Sequence, residues 1–143
     1  MNEDFLPFEL SVKLKEKGFD EECFGWYYPS EVCGFDYKTT IVFNSSEYRG
    51  SNYKDMLVLH KDEKHIDAPT ISQVLKWLRE EEKIFVVIAV NPTLSTKDKI
   101  AYYYQFYSNS NGVTSDYYES EQLYAQWEEC AIDSIKYVLD NLI

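Results

Sequence analysis

The chain has 143 residues, and its 25 acidic side chains oppose 14 basic ones, for a formal net charge of −11 at neutral pH. Duplex nucleic acid is held by Lys and Arg against phosphates, so this balance argues against a duplex as partner. Apolar residues make up 45%, which excludes a disordered chain, and the length fits a single domain over residues 1–143 that needs no staple to bury a core.

Aromatic side chains reach 17%, with 13 Tyr among them, which shifts weight toward strands and toward an aromatic core or interface. The opening "MNEDFLPFEL" carries acids where a secretory leader needs basic residues and an apolar stretch. No apolar run approaches the roughly 18 residues of a membrane span. Cys23, Cys33 and Cys130 form an odd set without a CxxC. Reduced thiols in the cytoplasm are the simplest reading, each thiol a small buried apolar group.

In chain order, "LPFELSVKLKEKGFD" predicts a helix over residues 7–17. Pro7 suits the first turn, where its missing N–H has no intrahelical partner. Gly18 sits where a left-handed cap belongs, with Phe19 able to pack back on Leu14. "CFGWYYP" (23–29) reads as a strand of aromatics ended by proline, and Lys38–Phe43 as a second, since Thr, Ile and Val are stiff β-formers. Residues 44–55, "NSSEYRGSNYKD", are turn formers and predict a mobile loop. "MLVLH" (56–60) is a short apolar strand, and "KDEKHID" (61–67) a solvated turn.

The stretch "DAPTISQVLKWLREEEKIFVVIAV" (67–90) is the most legible. Thr70 and Gln73 have capping-box spacing. Ile71, Val74, Leu75 and Leu78 then form one apolar stripe, with Trp77 on its flank and exposed. Glu80, Glu81 and Glu82 stand at the helix C-terminus, where the dipole prefers cations, and only Lys83 answers that preference. Residues 84–91 are apolar at both parities, the pattern of a strand covered on both faces. Residues 99–109 return as its antiparallel partner, with Ile100, Tyr102, Tyr104 and Phe106 on one face and Ala101, Tyr103 and Tyr107 on the other. A last helix runs from Ser120, its N-cap, to Leu142, long enough at about 33 Å to cross a whole sheet. The order α-β-β-(β)-α-β-β-α predicts an α+β fold: one antiparallel sheet of about four to five strands, with three helices packed mainly on one face.

Chemistry-bearing patterns are sparse. His60 and His65 are five apart in a turn, without a third ligand at zinc-like spacing. No GxSxG elbow, GxGxxG or Walker loop occurs, and the chain has only 5 Gly. No catalytic residue, cofactor site or metal site is therefore assigned. The cluster "YYYQFY" (102–107) could stack bases, but sheet platforms of that kind are flanked by Lys and Arg, and here only Lys97 and Lys99 are near in sequence.

Three stretches, "LKEKGFDEECFGWYY", "APTISQVLKWLRE" and "YAQWEECAIDSIKYVL", resemble a group of small, functionally uncharacterised proteins carried by gut anaerobes and their phages and mobile elements. The resemblance covers about half the chain, and residues 44–65 depart from it. It implies an accessory role in a mobile element and no activity. The leading expectation is thus a non-enzymatic interaction protein whose interface draws on Tyr103, Tyr107, Trp77, Glu80, Glu81 and Glu82. Its partner is another protein or a second copy, not duplex nucleic acid and not a membrane. The alternatives are an acidic mimic that fills the basic groove of a nucleic-acid-binding protein, and a small enzyme whose pocket would need one of the two His.

Overall fold

A computed structural model describes residues 4–27, 42–43, 66–110 and 113–143. They fall in two compact units, Met1–Thr70 and Ile71–Ile143. The expected loop at 44–55, the strand at 56–60, Cys33 and both His lie outside the described residues.

In the first unit, α1 spans Phe8–Glu16. Pro7 stands at its N-cap with an extended ψ of 155°, one position earlier than the first helical turn. Gly18 has a φ of 95°. There Gly18 N–H donates to Lys15 O and Phe19 N–H to Leu14 O, the paired bonds of a Schellman closure, with Phe19 buried behind them. The left-handed φ explains the glycine at this position. Three short strands follow: β1 (Gly25–Tyr27), β2 (Val42–Phe43) and β3 (Ile66–Asp67), in the antiparallel order β2-β1-β3. Ile66 and Asp67 were expected in a solvated turn. Instead they pair with Tyr27 and Trp26, because Ile66 and Ala68 can both enter a small core with Tyr27, against Phe5, Phe8 and Val12. The Tyr27 hydroxyl donates to Leu6 O at 2.7 Å, which ties the strand to the chain just before α1.

In the second unit, α2 (Ile71–Glu80) leads into β4 (Ile84–Val90), followed by β5 (Tyr102–Ser110), β6 (Val113–Glu119) and α3 (Trp127–Asn141). The sheet order is β4-β5-β6, antiparallel throughout. Helix α2 buries Ile71, Val74, Trp77 and Leu78. At 100° per residue these span an arc rotated away from Leu75, so the stripe runs through Trp77 and leaves Leu75 half-buried. The chain leaves α2 through Lys83, whose φ of 58° is left-handed. The Lys83 ammonium donates to Glu80 O, the cation that the helix end calls for.

The fold is α+β with three helices among the described residues, but the single sheet of four to five strands is corrected to two three-stranded sheets. The three helices accordingly do not share one face of one sheet: α1 belongs to the first unit, and α2 and α3 to the second. The long final helix is also corrected. It starts at Trp127, so its 15 residues span about 22 Å. Ser120 is not its cap. Its N–H donates to Tyr104 O, and its Oγ accepts from Tyr104 N–H at 3.1 Å while donating to Gln122 O. The hydroxyl thus takes the place of the ladder carbonyl as the strand ends. Two residues beyond Gln122, Tyr124 exchanges both backbone bonds with Tyr102, which keeps residues 120–126 out of helix.

Candidate interaction surface

The sheet β4-β5-β6 has two faces, set by the registers Val86 opposite Phe106, Ile88 opposite Tyr104, Phe85 opposite Tyr107 and Ala89 opposite Tyr103. One face carries Ile84, Tyr104 and Phe106, each 4–6% exposed, beneath α3. The ring of Tyr118 stacks on Phe106 at 4.8 Å and on Tyr137 of α3 at 4.8 Å. Helix α3 contributes Cys130, Ala131, Ser134, Ile135, Val138 and Leu139 to the same core.

The opposite face carries Phe85, Val87, Ala89, Tyr103, Gln105 and Tyr107. Phe85 and Val87 are 37% and 43% exposed, and the other four are half-buried. Within one copy of the chain, and among the described residues, this face is left partly open. Apolar parity reports what a strand could bury, and among the described residues only one of these faces has a helix on it. Gln105 Nε2 donates to the Tyr103 hydroxyl at 3.4 Å. Exposed apolar side chains also occur beyond β4, in Leu94 and Ile100.

Of the residues singled out from sequence, Tyr103 and Tyr107 lie together on this open face. Trp77 is 4% exposed and belongs to the packing of α2, so its expected exposure is corrected. Glu80 and Glu81 are exposed and Glu82 is half-buried, beside the start of β4. Sequence reasoning missed Phe85 and Val87, which it assigned to a buried strand. It also missed β6, although the hairpin-forming pair Asn111-Gly112 precedes it.

A separate recess of about 330 Å³ is lined by Gln122, Tyr124, Glu129, Ile132 and Asp133. Burial, then a hydrogen bond and the charge of Asp133, push the Tyr124 phenol above its ordinary value. Burial, then the Tyr118 phenol and the Asp133 carboxylate, push Tyr104 up to about 12. Burial and Asp133 push the Cys130 thiol up to about 12. Near neutral pH these three groups hold their protons. Among the described residues there is no group of three or more His, Cys, Asp and Glu that could hold a metal ion, and no helix is long and apolar enough to cross a membrane.

No protein-family model matches the chain, and no curated protein and no solved structure is significantly similar to it.

Proposed function

We propose that the chain is a non-enzymatic interaction protein, an accessory of a mobile element working in the cytoplasm, that docks another protein on the open face of β4-β5-β6. The observation that carries this reading is the apolar strip of Phe85, Val87, Tyr103 and Tyr107 on a sheet whose other face buries Ile84, Tyr104 and Phe106. Contiguous exposed apolar surface with an aromatic centre is the usual mark of a protein interface. The charge of −11 favours a partner with a basic rim and disfavours duplex nucleic acid and anionic membrane. The accessory role is supported by the resemblance to small proteins of gut anaerobes and their phages.

Affinity capture from the native host, comparing wild type with Tyr103→Glu/Tyr107→Glu, tests the reading. A partner held by wild type and lost from the folded double variant supports it, because a desolvated unpaired carboxylate at an interface costs several kcal/mol. Equal capture by both chains overturns it. If the shared partner is then a nucleic-acid-binding protein, the acidic mimic, which rests on net charge alone, becomes the better account.

A further inference from the structure

The two edges of β4-β5-β6 are built differently. Strand β6 carries the exposed Glu119, and its pairing with β5 breaks register between Ser108 and Asn109. Charges and bulges are the devices that keep an edge from pairing with another chain. Strand β4, "IFVVIAV", has seven residues, no charge, no proline and an unbroken register with β5. It lies at the sheet's other edge. Asn91 N–H donates to Ala101 O at 2.8 Å, which fixes the phase of the ladder. Odd-numbered residues of β4 bond toward β5, so the N–H and C=O of Ile84, Val86, Ile88 and Val90 point outward. Among the described residues no strand meets them.

We infer that a second copy of this chain pairs antiparallel with β4 along this edge, across a two-fold axis at Val87, and makes a continuous six-stranded sheet. One register uses every outward group: Ile84 with the partner's Val90, and Val86 with the partner's Ile88, each pair formed twice by symmetry. In that register Val87 faces its own copy in a non-hydrogen-bonded pair, and Phe85 faces the small side chain of the partner's Ala89. Glu82 falls opposite the partner's Pro92, where a missing N–H stops the ladder.

The strand ends are also complementary in charge. Glu80, Glu81 and Glu82 precede β4, followed by Lys83, and Lys97 and Lys99 flank Asp98 in the loop that follows the strand, so that a net acidic end meets a net basic loop. Antiparallel pairing brings each acidic end toward the other copy's basic loop. Two copies at −11 repel at long range, but at about 0.15 M salt that repulsion is screened beyond about 8 Å, which leaves the contacts at the strand ends. This pairing uses backbone groups at an edge and leaves the proposed docking face open, so it does not rest on that reading.

Light scattering with substitutions at the axis tests the pairing. Wild type is expected at about twice 16.9 kDa. Val87→Glu and Val87→Lys, at a site 43% exposed, should each give folded monomer by setting like charges face to face. Their equimolar mixture should recover the dimer. A non-hydrogen-bonded pair has Cα atoms about 4.5 Å apart, within disulfide range. In a background with Cys23→Ser and Cys33→Ser, Val87→Cys should therefore cross-link between copies under oxidation, and Phe85→Cys should not. A wild-type mass of 16.9 kDa at high concentration overturns the inference. So does a dimer that neither cross-links at Val87 nor responds to Val87→Glu. A dimer that dissolves with Tyr103→Glu but does not cross-link at Val87 packs face to face and also overturns it.

Discussion

The two faces of β4-β5-β6 are written in nearly the same alphabet. Ile84, Tyr104 and Phe106 on one side and Phe85, Val87 and Tyr103 on the other are apolar or aromatic, and each set alternates with period two. Under α3 the first set is almost dry, while the second meets solvent. Composition therefore does not decide which face is core. The helix decides it, through Ile135, Val138 and Leu139, which are 0–2% exposed, and through the ring of Tyr137 on Tyr118. Side chains of equal hydrophobicity thus differ in what they contribute to stability and in what they leave available for binding.

Truncations on the two faces should separate most. Phe106→Ala removes a ring 5% exposed and stacked on Tyr118. It is expected to cost about 3–5 kcal/mol in urea unfolding. A cost near that of an exposed site would mean that α3 does not hold this face shut.

Alkali should act through the covered face. The folded state holds the Tyr104 proton more tightly than the unfolded chain does, so its contribution is fully present below pH 10 and lost as pH rises toward about 12. The Cys130 thiol, up from 9.0 to about 12, acts in the same direction from pH 9. Melting temperature should fall across this window, and Tyr104→Phe should make the fall shallower. A variant whose profile matches wild type would place the alkaline sensitivity elsewhere.

A smaller effect is expected at the rim. Ser120→Ala deletes the hydroxyl that accepts from Tyr104 N–H. The loss should be about 1–3 kcal/mol, since a buried donor is left unpaired. Full protection of the Tyr104 amide from exchange in that variant would show that another acceptor replaces it.

The smallest change should come from the open face. Val87→Thr, at 43% exposure, should move stability by no more than about 0.5 kcal/mol at protein concentrations low enough to separate the two copies. A larger loss would mean that the face is covered in solution.

Much of the second unit was legible because its signals are local. The stripe from Ile71 to Leu78 and the apolar run from Ile84 to Val90 both appear as elements at nearly the expected bounds, and the Gly18 closure of α1 follows from one glycine and one phenylalanine. The misreadings involve contacts distant in sequence. Ser120 looks like a helix cap until Tyr104 claims both its N–H and its hydroxyl. Trp77 looks like a flank until packing rotates the buried arc of α2 toward it. Ile66 looks like part of a charged turn until Tyr27 pairs with it. For the surface, sequence supplied Tyr103 and Tyr107, but not Phe85 and Val87. Hydrophobicity at both parities cannot say which side a helix will take.

The position of Cys130 makes the covered face self-reporting. Its sulfur has no exposed surface, and burial holds it in the unreactive thiol form, so an alkylating reagent can reach it only when α3 lifts from the strands. Cys23 is half-buried, with its thiol directed to the Glu21 carbonyl. In a Cys23→Ser/Cys33→Ser background, the labelling rate of Cys130 relative to that of a free model thiol therefore reports the opening of α3 under native conditions, without denaturant.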